Sequence, residues 1–187
     1  MERVILSLGS NLGDRLNNLD QALFLLGENL LIDNQKIFCS DIFETEALVL
    51  PGEESQPDYL NCAIALDTTC SPQQLLQICQ KIEVELGRDR QQEEGRYHSR
   101  LLDIDIVFYG EETINEKNLI VPHPRFHTRG FMLLPVMQVA GHFIHPKYGK
   151  AVRFLVKELD DSLEVEFYSE AASFSLAARK LEDKSGR

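Results

Sequence analysis

An α+β fold with element order βαββαβ is predicted by three observations. Apolar residues recur at steps of three and four in two separate stretches, around 16–30 and 71–86. Short apolar or alternating runs stand before, between and after those stretches. Clusters of Gly, Pro and acidic residues separate them. That order is the split βαβ, or ferredoxin-like, arrangement: an antiparallel sheet with both helices on one face.

Each element has its own signal. Residues 3–8 read as a strand ended by Gly9. Leu16, Leu19, Leu23, Leu26 and Leu30 form the apolar stripe of the first helix. Residues 36–44 read as a second strand, 46–58 as a Pro-, Gly- and Glu-rich loop, and 59–67 as a third strand. Ser71 suits an N-cap, Pro72 the first helical position, and Gln74 completes a capping box. Leu75, Cys79, Ile82 and Leu86 then line the second helix, which Gly87 stops. Residues 88–100 are almost wholly polar, hence a solvated loop, and 101–109 form the fourth strand. Beyond 140, Val152, Leu155, Val156 and Leu159 suggest a short helix, 163–167 an edge strand, and 170–187 a weak helix or disordered tail.

The 187 residues fit one domain spanning 1–187, with a core over about 1–140 and an extension over 141–187 that carries no assigned function. No apolar run approaches the roughly 20 residues that span a bilayer, and no signal-peptide pattern opens the chain, so a cytoplasmic location with no membrane partner is expected. The four cysteines form no CxxC pair and lie in apolar segments, as reduced thiols do. A net charge of −11 argues against nucleic acid as a partner.

That charge is unevenly placed. Residues 88–129 carry Arg88, Arg90, Arg96, Arg100, Lys117, Arg125 and Arg129 against eight acidic residues, a net of −1, so the excess lies elsewhere. Arginine's planar fork matches phosphate oxygens. Within the fourth strand, alternation puts Leu102, Ile104, Ile106 and Phe108 on one side, and Asp103, Asp105, Val107 and Tyr109 on the other. The two aspartates are then about 6.6 Å apart along the strand, near enough to share divalent ions. Magnesium takes few carboxylates and completes its shell with phosphate oxygens and water, so a Mg-nucleotide is the ligand expected there. Gly9 to Gly13 lacks the Gly-Lys-Ser/Thr of a P-loop.

Five segments in chain order resemble one family. Leu6-Ser-Leu-Gly-Ser-Asn-Leu-Gly-Asp14, Gln56-Pro-Asp-Tyr-Leu-Asn-Cys-Ala63, and Gln80-Lys-Ile-Glu83 followed by Gly87-Arg-Asp-Arg90 are three of them. Arg100-Leu-Leu-Asp-Ile-Asp-Ile106, and Val121-Pro-His-Pro124 with Arg129-Gly-Phe-Met-Leu-Leu-Pro135, complete the set. Together they are similar to 6-hydroxymethyl-7,8-dihydropterin pyrophosphokinases of folate biosynthesis. The resemblance implies transfer of pyrophosphate from ATP to the pterin's hydroxymethyl oxygen, with release of AMP; separately, a monomer is expected.

It also implies roles. Asp103 and Asp105 would hold two Mg²⁺ ions, and Arg88 and Arg100 would be catalytic. Gln80, Glu83, Arg90, Tyr97, Arg100, Ile106, His123 and Arg129 would surround ATP. Thr45, Leu48, Tyr59, Asn61 and Phe131 would form the pterin pocket. Aromatic faces suit a flat heteroaromatic ring, and a side-chain amide suits its amide-like edge. The chain differs from the family pattern at Tyr97-His-Ser99, at Pro124 and at Thr45-Glu-Ala47.

Overall fold

The computed structural model describes residues 1–30, 37–47, 55–88, 99–160 and 164–171. The expected βαββαβ core is present as β1 (Glu2–Ser10), α1 (Arg15–Leu30), β2 (Phe38–Cys39) with β3 (Ile42–Thr45), β4 (Tyr59–Thr68), α2 (Pro72–Glu85) and β5 (Asp103–Tyr109). Further elements follow: a hairpin of β6 (Ile114–Glu116) and β7 (Leu119–Val121), α3 (Gly130–Ala140), the single turn α4 (Val152–Leu155) and β8 (Val165–Ser169). The main sheet runs β5-β1-β4-β3-β8, with β2 also paired to β4. The pairings are antiparallel.

Side-chain alternation in the central strands feeds two cores. Val4, Leu6 and Leu8 of β1 and Leu60, Cys62, Ile64 and Leu66 of β4 pack under α1 and α2. Ile5, Ala63, Ala65 and Val107 face the other way, under α3 and α4. The sheet is therefore sandwiched, whereas the two helices legible in the sequence cover only one face. α3 escaped the periodicity argument because it is apolar nearly all round and contains Pro135.

Three local expectations change. The single strand expected over 36–44 is broken at Ser40, whose hydroxyl accepts the Ala63 N–H at 2.8 Å in place of a ladder carbonyl. The break leaves Asp41 N–H to donate to Gln138 of α3 at 2.8 Å. The second change lies in β5, where the register shifts: Leu6 pairs with Ile106 but Ile5 with Phe108. This bulge inverts the alternation beyond it. Phe108 joins the α3 core, while Tyr109 turns to the α1/α2 side and donates its hydroxyl to the Cys70 carbonyl at 2.5 Å. The third is the expected edge strand, which begins at Val165 and pairs with β3.

The capping box at Ser71 and Gln74 forms as read, with both reciprocal bonds. Gly87 has φ +97°, the left-handed turn that ends α2 and aims Arg88 back at β5. Most of the loops 46–58 and 88–100, including Leu48, Arg90 and Tyr97, lie outside the described residues, as does the tail from 172.

Candidate active site

α3 covers only part of its face of the sheet. Beyond its edge, register sets out a short row: Asp105 opposite Ser7, and Asp103 opposite Gly9, which in turn is opposite Asn61. These residues share the face of Ile5 and Ala63 because they are two or four positions away along their strands. The strip that α3 leaves uncovered forms the floor of a cleft of about 390 Å³. Its middle positions are small, Ser7 and Gly9, and so leave the floor open.

Twelve of the residues assigned by resemblance line this cleft: Thr45, Tyr59, Asn61, Gln80, Glu83, Arg88, Arg100, Asp103, Asp105, His123, Arg129 and Phe131. Ile106 does not. Its side chain packs into the α1/α2 core, since it neighbours Asp105 in the strand and points the opposite way. Ser7, Gly9 and Arg125 line the cleft and were not singled out as site residues. Arg125 had a signal, its place in the arginine-rich window. Ser7 and Gly9 had only their place in the Leu6–Asp14 segment, because small residues in a strand by themselves usually mark nothing more than packing.

The charged end of the cleft is a tight network. Arg88 Nη1 lies 2.7 Å from Asp103 Oδ1 and 2.9 Å from Glu83 Oε1. Arg100 Nη1 reaches the other oxygen of Asp103 at 2.9 Å. Glu83 is almost wholly buried and also accepts the Ile104 N–H at 2.9 Å, which satisfies the outer edge of β5. Asp105 stands apart from these bonds. Burial first, then the nearby Asp103 and Glu83 charges, push its carboxyl up to about 7, against the pull of Arg129 and Arg100. A carboxylate so disfavoured is a place for a cation.

Two carboxylates fit the usual protein share of a magnesium site, whose remaining ligands are phosphate oxygens and water. Among the described residues no cluster of three or more His, Cys, Asp or Glu side chains forms an all-protein metal cage. The donor set therefore suits magnesium delivered with a nucleotide.

His123 also lines the cleft, held by its backbone N–H to the Val107 carbonyl at 3.0 Å. Burial, then Arg129 and Arg125, lower its imidazole to about 4, so it is neutral at pH 7. Its Nδ1 is buried with no hydrogen-bond partner among the described residues. The Arg129 guanidinium lies 5.5 Å from the centre of the Phe131 ring.

The other end of the cleft, around Thr45, Tyr59 and Asn61, is mostly uncharged, although Glu46 also lines it. Asn61 is buried and donates to Thr45 Oγ1 at 2.9 Å, which fixes its amide with Oδ1 toward Gly9. A Cβ at Gly9 would stand 3.1 Å from that oxygen, closer than ordinary packing. Gly9→Ala is thus expected to displace the Asn61 amide by a few tenths of an ångström. A substrate held by that amide should then bind about fivefold to thirtyfold more weakly, an unsatisfied polar contact being worth about 1–2 kcal/mol, and affinity for a substrate held at the charged end should be unchanged. Isothermal titration with each substrate separately checks this, and equal weakening of both would count against it.

Asn11 joins the ends of the two flanking loops. Its Oδ1 accepts the Arg100 N–H at 2.6 Å, and its Nδ2 donates to the Pro57 carbonyl and to Ser99 Oγ, each at 3.1 Å.

The sequence model of the 7,8-dihydro-6-hydroxymethylpterin-pyrophosphokinase family matches residues 5–141. The 2-amino-4-hydroxy-6-hydroxymethyldihydropteridine pyrophosphokinase of Bacillus subtilis (strain 168) is 40% identical over 134 residues, covering 72% of this chain and 75% of that protein. The folic acid synthesis protein fol1 of Pneumocystis carinii is 35% identical over 161 residues, which cover 86% of this chain but only 20% of that longer protein. A crystal structure of Plasmodium falciparum HPPK-DHPS superposes with a TM-score of 0.61 at 16% identity, over 84% of this chain and 44% of that one, which shows the fold. The chain belongs to the 7,8-dihydro-6-hydroxymethylpterin-pyrophosphokinase family, ATP-dependent diphosphotransferases of folate biosynthesis.

Proposed function

We propose that the cleft carries out the family's reaction, pyrophosphate transfer from ATP to the hydroxymethyl group of 6-hydroxymethyl-7,8-dihydropterin, with a division of labour that follows its two ends. The observation that carries this reading is the row Asp105, Asp103, Gly9 and Asn61 on one face of the sheet. A carboxylate pair and a buried amide, joined across a glycine, would suit a Mg-nucleotide beside a flat polar ring.

Asp103 and Asp105 would hold two Mg²⁺ ions. When bound, these neutralise phosphate charge and draw the β-phosphorus and the hydroxymethyl oxygen into line. Arg88, Arg100 and Arg129 supply guanidinium donors along the phosphates, where negative charge grows on the leaving AMP. Arg90 and Tyr97 belong to the same nucleotide set. Gln80 faces the nucleotide, and Glu83 holds Arg88 and β5 in place. His123, neutral, offers a hydrogen bond without adding charge. Ile106 serves the nucleotide only by holding β5 in register, since its side chain is in the core. Asn61 and Thr45 bind the pterin edge, with Tyr59, Phe131 and Leu48 around its ring.

The whole chain acts as one monomeric domain in the cytoplasm on this reading. All four cysteines are free thiols, and no helix among the described residues is long and apolar enough to cross a membrane.

Incubation with ATP, the pterin and Mg²⁺ is expected to yield one AMP per pterin consumed, and nothing when any of the three is left out. Formation of ADP, or release of free pyrophosphate with a nucleotidylated pterin, would sink this reading, because each implies attack at a different phosphorus.

A further inference from the structure

We propose that the turn over 143–150, beyond the residues matched by the family model, braces the arm His123–Arg129, and that His145 and Tyr148 are positioning residues for Arg125 and Arg129. The inference rests on the functional reading above.

The arm is fixed at its two ends. His123 N–H donates to the Val107 carbonyl at 3.0 Å, and the Arg129 carbonyl accepts the N–H groups of Met132 and Leu133 in the first turn of α3. Between these ends its own hydrogen bonds are long: Phe126 N–H to His123 at 3.3 Å, Thr128 N–H to Arg125 at 3.2 Å, and Arg129 N–H to Phe126 at 3.4 Å. With bonds of that length, the stretch that carries Arg125 and leads into Arg129 is held only weakly by its own backbone.

Order comes from side chains instead. Phe126 is fully buried, edge-on to Phe108 at 5.0 Å and stacked on the His145 ring at 5.5 Å and 11°. His127 meets Tyr148, with the phenol oxygen 3.0 Å from Nε2 and the rings 4.9 Å apart. His145 and Tyr148 also pack together at 4.4 Å.

The turn that presents these rings is well closed. His145 N–H donates to the Lys150 carbonyl at 2.9 Å, Gly149 N–H to the His145 carbonyl at 2.8 Å, and the Lys147 N–H to His145 Nδ1 at 3.0 Å. An Nδ1 that accepts must be unprotonated, in keeping with a ring that burial lowers to about 4. Phe143 adds a further contact to Phe108 at 4.4 Å. Two aromatic residues of the extension thus hold the two middle residues of the arm, and the arm's flanking arginines both open into the cleft.

A brace that acts through the arginines differs measurably from one that only stabilises the fold. Tyr148→Ala is expected to weaken binding of a non-hydrolysable MgATP analogue about tenfold, since small misplacements of charged contacts are costly. The same change made in an Arg125→Ala/Arg129→Ala background should cost less than about twofold, because coupled residues are non-additive. Pterin affinity should stay within about twofold in both backgrounds.

Unchanged analogue affinity in Tyr148→Ala, or equal losses in both backgrounds, would overturn the proposal and leave the functional reading intact. Failure of the parent chain to bind the analogue would instead remove that reading and the proposal together. If Tyr148→Ala does not fold, Tyr148→Phe keeps the ring and removes only the hydroxyl. It should then show a loss of about threefold, as for one neutral hydrogen bond, and no loss would be decisive against the brace.

Discussion

Asp105→Ala is expected to lower AMP formation by roughly a thousandfold or more, the scale of losing a metal contact to the transferring phosphates, while the metal-free protein stays folded. The side chain lies on the cleft floor and makes no ladder bond, so its removal leaves the β1–β5 pairing in place. Near-normal turnover would remove Asp105 from the metal site. Loss of the folded state would show that it is structural.

The same residue makes a second measurement possible. Its folded carboxyl sits at about 7, above the ordinary 3.8. Between those two pH values the folded chain keeps a proton that the unfolded chain has released. Stability of the metal-free protein therefore falls as pH rises through this window, and the penalty is complete above about pH 7. Asp105→Asn should be more stable than the parent at pH 8, and the gain should vanish near pH 4. The carboxyl opens toward the cleft, so solvent relieves part of the burial and the gain should be on the order of 1–2 kcal/mol. Urea unfolding in the presence of a chelator at the two pH values checks the sign. A parent at least as stable as the variant at pH 8 would contradict the burial argument.

Arg88→Ala is expected to damage both stability and rate. Its guanidinium is nearly buried between Asp103 and Glu83, and Glu83 is 2% exposed. Removing it takes the guanidinium away from that buried carboxylate, and breaking a buried pair from one side costs about 3–5 kcal/mol. Turnover should fall roughly a hundredfold or more, as when one donor to a developing negative charge is lost. The joint variant Arg88→Met with Glu83→Gln removes both charges and should recover much of the stability but not the activity. Recovery of both would mean that Arg88 holds the fold and does nothing for the phosphates. Asp105→Ala and Arg88→Ala form a contrasting pair: one separates rate from stability, the other ties them together.

Much of the core was legible because it rests on periodicity. The leucine stripe of α1, the capping box of α2 and the run before Gly9 are local patterns whose physical cause is local. The Asp-x-Asp pair was legible for the same reason, since strand alternation puts both carboxylates on one face. The sheet's second covering layer was not. α3 has no polar face to give a period, and its proline argues against a helix when read alone. The β5 bulge was equally invisible, because the extra residue is defined by the partner strand β1 and not by β5 itself.

By itself the sequence determined the order of the elements, the arginine-rich window and the identity of the motifs, because each is encoded in neighbours along the chain. Tertiary structure alone decided which residues meet. Ser7 and Gly9 became the cleft floor only when β1 came between β4 and β5. Arg88 became a buried bridge only when the turn at Gly87 brought it onto Asp103, 15 residues on. The extension beyond the family match gained its place only when His145 and Tyr148 closed on Phe126 and His127. Such contacts depend on burial and on register between distant strands, two properties that no stretch of the chain carries alone.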